Sequence, residues 1–283
     1  MNKYIDRVEN WIEKLHDSSS INVLTEREKK HWDTIPMDKK EKYVSELIEK
    51  PIVFENPETI YDWYFRNKWA DALKTVHNED SISVFEIGAG GCDIVPKAIA
   101  RDFVHHDTYY VTANLNKELS QIFKWKTEHD PISIYLIEDY ASNIKNHVGD
   151  KLFDVIAFEH SANDVLETIL AEKHGIDTVN KSWMDILPSI TELVNSEWDN
   201  NTFEDSTRDA FMRLISVCFD VLKPGGYIVI AHYQFQYNLD IGLSADFNTN
   251  LIPMVRKWLA ENKIGTEEFF DEFDSNWWMF IRK

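Results

Sequence analysis

The sequence is poor in cysteine, glycine and basic side chains, and it has no long apolar run. Its two cysteines, Cys92 and Cys218, are far apart and match no metal or redox spacing, which excludes a disulfide framework. That pattern fits a reducing, cytoplasmic setting. No stretch approaches the roughly 20 apolar residues that a membrane-spanning helix needs. Residues 1–14 are charged throughout and lack the apolar centre of a secretory signal. Lys and Arg number 30 against 49 Asp and Glu, a formal charge of −19. Such a chain repels phosphate backbones, so the expected partners include neither nucleic acid nor a membrane. The acidity suits a cationic or amine substrate, although solubility is the simpler reason for it. The ten histidines show no zinc or iron spacing, and no metal is expected.

What is present is an apolar fraction of 43% over 283 residues, enough for one large α/β domain with appendages. There is no internal repeat, low-complexity tract or Pro/Gly/Ser-rich linker. Residues 1–79 read as a helical cap. Tyr4, Val8, Trp11, Ile12 and Leu15 recur at helical spacing, and Tyr43, Leu47 and Ile48 share a face within a helix over 39–49. Pro51 and Pro57 break the pattern, and a third helix starting near Pro57 carries Ile60, Tyr61, Tyr64, Trp69 and Leu73.

From residue 80 the texture changes to strands alternating with helices. Strands are expected at 83–87, 108–113, 132–137, 152–158 and 227–232, with helices at 94–103, 116–124 and 207–222. A stretch of about 40 residues after the fourth strand, within 163–205, reads as a helical insertion around Trp183, Met184, Ile186, Leu187, Ile190, Leu193 and Val194. Residues 267–273 and 277–281 fit an antiparallel pair closing the sheet. The whole predicts a Rossmann-like α/β domain over 80–283: about seven mostly parallel strands with helices on both faces and an antiparallel last strand.

The motif that carries chemistry is Val84-Phe85-Glu86-Ile87-Gly88-Ala89-Gly90-Gly91-Cys92-Asp93. A buried strand runs into a glycine turn, which permits a tight bend and close approach of a ligand to the backbone, and then into a helix N-terminus. A dinucleotide fingerprint would need glycine where Asp93 stands, so that reading is disfavoured.

In this motif, an acidic residue, one apolar residue and then Gly-x-Gly, the chain resembles the class I S-adenosylmethionine-dependent methyltransferases. Further landmarks follow in order over about 200 residues. Asn114 ends the second strand, where the family usually has an acidic residue. Asp139-Tyr140-Ala141 follows the third strand. Phe153 to Phe158 matches the fourth, and Leu222-Lys223-Pro224-Gly225-Gly226 precedes the fifth. Cys92 stands where a third glycine is frequent, and the Asn-Pro-Pro-aromatic motif is absent after Phe158.

The resemblance implies S-adenosyl-L-methionine as cofactor and a methyltransferase activity on O, N or C of a small-molecule acceptor. It places Glu86 and Gly88, Ala89 and Gly90 on the methionine side, Asn114 at the ribose, and Asp139 with Tyr140 at the adenine. Glu159 and His160 are then expected to face the sulfonium and the acceptor. His160 and Asp164 are candidate bases, the first otherwise a cofactor contact, the second otherwise a helix cap. Tyr61, Tyr64 and Trp183 are candidate acceptor-pocket residues, with core packing the alternative. Three other readings remain open: a protein acceptor, a non-catalytic S-adenosylmethionine-binding protein, and other chemistry on the same cofactor.

Overall fold

The computed structural model describes residues 36–38, 60–103 and 105–283. The helices expected at residues 4–15 and 39–49, with Pro51 and Pro57, lie outside these residues. So do the side chains of Tyr61 and Tyr64.

The third expected helix is present as α1, Ile60–Val76. It presses Phe65, Trp69, Ala70, Ala72 and Leu73 into the core. Alternation then follows: β1 Ser83–Ile87, α2 Ile94–Asp102, β2 Tyr109–Ala113, α3 Lys117–Thr127 and β3 Ser133–Ile137. A 3₁₀ turn at Ala141–Asn143 leads into α4, Ile144–Val148, and β4 is Phe153–Glu159. The inserted region contributes α5 Ala162–Lys173 and α6 Trp183–Asp199, and is followed by α7 Phe203–Val221 and β5 Leu222–Ala231. The chain closes with α8 Gln236–Asp240, α9 Ala245–Asn262, β6 Thr266–Glu268 and β7 Trp278–Arg282.

The seven strands form one sheet in the order β3-β2-β1-β4-β5-β7-β6. Pairing is parallel from β3 to β5 and antiparallel at β7, as the terminal strand pattern leads one to expect. The five residues of β1 are all buried, because helices cover both faces. The period of two along β4 divides the core. Ile156 and Phe158 join one cluster with α5, α6, α7 and α9, while Val155 and Ala157 join the other with α1 and α2.

One boundary differs from the sequence reading. β5 begins at Leu222, which pairs with Phe153, and regular pairing resumes at Tyr227 with Val155. The expected turn Lys223–Gly226 is therefore a bulge inside the strand. Lys283 holds it: Gly225 N–H donates to the Lys283 carbonyl, and Lys283 N–H to that of Gly226.

Candidate functional site

The chain leaves β1 for β2 on one side and reaches β4 on the other, so a crevice forms beyond their carboxyl ends. A cavity of about 330 Å³ occupies that crevice. Small-ligand sites run from about 300 to 1,000 Å³. Gly88 and Gly90 line one side at φ +64° and +58°, a conformation that disfavours any side chain. Asn114, Tyr140 and Trp183 line it as well.

Asn114 is committed to the loop. Its Oδ1 accepts from Gly90 N–H at 3.0 Å, and its Nδ2 donates to the Gly90 carbonyl at 2.8 Å. This two-point clamp fixes the glycine loop from the end of β2. The ribose contact expected of Asn114 would require one of these bonds to be released. Asn116, the residue immediately before α3, is a second clamp that sequence reasoning missed. Its Oδ1 caps α3 at Leu119 N–H, and its Nδ2 donates to the carbonyls of Thr178 and Lys181 in the α5–α6 connection. No local pattern distinguishes such an Asn from an ordinary helix cap.

Several expected site residues lie elsewhere. Glu86 does not line the cavity. It points to the α1 side of the sheet, where its Oε2 accepts from Tyr110 Oη at 2.5 Å. Burial, with Glu159 and Asp93 nearby, raises its pKa well above the ordinary carboxylate value. Glu159 is sealed on the same side, accepting from Trp69 Nε1 at 2.5 Å. Asp93 pairs with Arg66 at 2.9 Å; burial pushes its pKa up, but Arg66, Lys97 and Lys126 together hold it low. Asp139 also does not line the cavity. It accepts from Asn143 Nδ2 and Tyr140 N–H and meets His147 Nε2 at 2.8 Å; these contacts, His147 first, lower its pKa. Tyr140 does line the cavity, with its hydroxyl donating to Glu172; that bond and burial push its pKa up to about 12.

His160 directly follows β4 at φ +46°, a strained region for a histidine. Its ring stacks on His232 at 4.9 Å and meets the edge of Phe235 at 4.3 Å, and it does not line the cavity. Burial, with His232 beside it, pushes its pKa well down, so the ring is neutral. Nδ1 accepts from Tyr233 N–H at 3.2 Å, which assigns the remaining proton to Nε2. In this state His160 offers a donor rather than a base.

The cavity's acids come from α5. Asp164, Thr168 and Glu172 recur every fourth residue and share the cavity-facing side. Asp164 does not cap the helix; it accepts from the neighbouring Asn163 Nδ2 at 2.8 Å. Burial raises its pKa from 3.8 to about 7, and burial plus the Asp164 charge raises that of Glu167, one turn on, from 4.5 to about 8. Among the described residues no Lys, Arg or His pairs with either carboxyl. Thr178 lines the same cavity, 2% exposed, and its hydroxyl has no partner. The one trio of potential metal ligands among the described residues, His105, His106 and Asp107, is exposed and does not line the cavity. No helix of the described residues is long and apolar enough to cross a membrane.

No family model matches the chain, and no curated protein does. Solved structures do. A protein of Methanococcus maripaludis, provisionally described as an S-adenosyl-L-methionine-dependent methyltransferase, aligns at 14% identity and TM-score 0.46, covering 77% of this chain and 84% of its own. One from Staphylococcus aureus, provisionally described as a caffeoyl-CoA O-methyltransferase, aligns at 13% and 0.45, covering 90% and 96%. Aeropyrum pernix fibrillarin, in complex with natively bound S-adenosyl-L-methionine, aligns at 9% and 0.40, covering 77% and 74%. These scores are too low to carry function from one chain to another. With five parallel strands in the order 3-2-1-4-5, the antiparallel β7 between β5 and β6, and the glycine turn after β1, the chain has a Rossmann-like α/β fold.

Proposed function

We propose that the chain binds S-adenosylmethionine in this cavity and transfers its methyl group to O, N or C of a small-molecule acceptor. The observation that carries the reading is the cavity at the crossover of β1 and β4, walled by a glycine loop in left-handed conformation that Asn114 holds open. The residues present fit such a ligand. Gly88 and Gly90 admit it close to the backbone, Tyr140 and Trp183 offer aromatic faces for a base, and the unpartnered Thr178 hydroxyl offers a hydrogen bond. The formal charge of −19 argues against a nucleic-acid acceptor.

When bound, the cofactor supplies an activated methyl group: the acceptor's lone pair forms the new bond, and the electrons of the broken carbon–sulfur bond stay on sulfur. The protein's part is alignment and exclusion of water, for which a rigid loop and a helix-walled cavity are suited. His160, neutral and packed against His232 and Phe235 outside the cavity, has no contact with an acceptor bound there. A non-catalytic binder is the second reading, and one observation favours it: the Asn114 amide is already spent on Gly90.

Calorimetric titration with S-adenosylmethionine and, separately, NAD tests the reading. Micromolar binding of the first alone is expected, with at least about a hundredfold loss on Gly88→Val, which puts a branched side chain at a left-handed position against Ser161. Absence of S-adenosylmethionine binding overturns it. Binding without methyl transfer from a labelled donor to any of a broad acceptor panel favours the second reading.

A further inference from the structure

The carboxylates at the carboxyl ends of the strands fall into two groups. Glu86, Glu159 and Asp93 are each bonded to a partner on the α1 side. The acids of α5 are different. Glu167 is 3% exposed, Asp164 is half-buried in the cavity wall, and neither has a cationic partner among the described residues. Around them, polar capacity is left over. Asn163, 3% exposed, uses its amide nitrogen on Asp164, while its oxygen has no partner. The buried Thr178 hydroxyl in the same cavity is also unmatched. Buried polar atoms are nearly always paired, so a cluster with an unmatched oxygen, an unmatched hydroxyl and two unpaired acids is incomplete without a ligand.

The ligand's sign follows from the charges around the cavity. Glu172 also lines it, held by the Tyr140 hydroxyl, and Arg213, the cavity's basic residue, is exposed and forms no ion pair with either acid. Asp164 stands one turn from Ser161, whose Cβ would lie 3.7 Å from a Cβ at Gly88 and whose hydroxyl donates to the Ile87 carbonyl. An acid is thus fixed within the first turn of α5, beside the glycine loop, with no ion pair to a cation among the described residues.

Resting on the reading of the cavity as an S-adenosylmethionine site, we propose that Asp164, backed by Asn163 and Glu167, recognises the positive charge of the cofactor's sulfonium, so that the site distinguishes the charged donor from its neutral product, S-adenosylhomocysteine. An ionised Asp164 is attracted to the donor's sulfur and gains nothing from the product's. The methyl transfer itself removes that charge. Release of product is therefore favoured by the chemistry that makes it, and rebinding of product is disfavoured against fresh donor. Glu167 acts through Asp164 by raising the local negative potential, and is a positioning residue.

The test is parallel titration of wild type, Asp164→Asn and Glu167→Gln with S-adenosylmethionine and with S-adenosylhomocysteine at pH 8.5, a condition set above the raised carboxyl values, with thermal melts of the ligand-free proteins. Asp164→Asn keeps the side chain's size and removes a poorly compensated charge. Its ligand-free melting temperature is expected to rise by about 2–4 °C. Its affinity for S-adenosylmethionine is expected to fall about tenfold, while that for S-adenosylhomocysteine stays within about twofold. Glu167→Gln is expected to shift the same ratio by about threefold. An equal fall for both ligands overturns the proposal, because the acid then serves a group that donor and product share. No change for either also overturns it. If wild type binds neither ligand, the reading of the cavity fails and the proposal with it.

Discussion

The two sides of the sheet at its carboxyl edge use the same residue types to opposite ends. On the α1 side, Glu86 meets Tyr110, Glu159 meets Trp69, and Asp93 meets Arg66, all within a sealed layer. On the α5 side, Asp164 and Glu167 have, among the described residues, only an asparagine between them, and the cavity opens beside them. In the first arrangement each acid has a donor or a guanidinium, although Asp93 Oδ2 is left over; in the second neither acid has a cationic partner among the described residues. A buried carboxylate is therefore no mark of a binding site; a buried carboxylate whose partners are missing, next to space, is.

Three changes would break or sharpen that contrast. The largest effect is expected on the sealed side. Arg66→Met leaves the Asp93 carboxylate buried without its guanidinium and is expected to cost about 3–5 kcal/mol in denaturant unfolding. S-adenosylmethionine affinity of the folded protein should stay within about threefold. Collapse of affinity in the folded variant would erase the distinction between the two sides.

Asn114→Leu comes next. It removes both bonds to Gly90 and is expected to lower stability by about 1–3 kcal/mol and S-adenosylmethionine affinity about tenfold, because the loop must then be ordered on binding. Unchanged affinity at reduced stability would make the clamp structural only.

The smallest effect is a slope. The Asp164–Glu167 pair has folded pKa values near 7 and 8 against 3.8 and 4.5 when solvated. Between about pH 4 and 8 the folded state therefore holds more protons than the unfolded one. The pair's contribution to ligand-free stability is fully present below about pH 4 and is lost as pH rises through 7 to 8. Subtracting the unfolding curve of the Asp164→Asn, Glu167→Gln double variant from that of wild type isolates this share from that of Glu86, whose pKa shifts the same way. A flat difference from pH 4 to 8 would show that the pair is solvated rather than buried.

Most of the fold was legible because its signals are local. Ser83–Ile87 is a short apolar run before a glycine turn, and the structure begins and ends β1 at those residues. The antiparallel closing strands and the helix at Trp183 were visible in the same way. α9 was not named from sequence; Pro253 lies inside it and interrupts the signal that a helix reading relies on. The site was half legible. Gly88, Gly90, Asn114, Tyr140, Asp164 and Trp183 do line the cavity, and Ala89 between the two glycines does not. Glu86, Asp139, Glu159 and His160 do not, since a residue's position at a strand end leaves open which face its side chain takes and what already binds it. Thr178 and Asn116 escaped notice because their roles depend on contacts across 62 or more positions of chain.

The Asn116 side chain has a mechanical consequence. One amide joins the exit of β2 and the start of α3 to the carbonyls of Thr178 and Lys181, and Lys117 N–H adds a third bond, to Val179. Separating the α5–α6 connection from the start of α3 would break these bonds together, so that one wall of the cavity is tied to the end of β2 as a unit and not bond by bond.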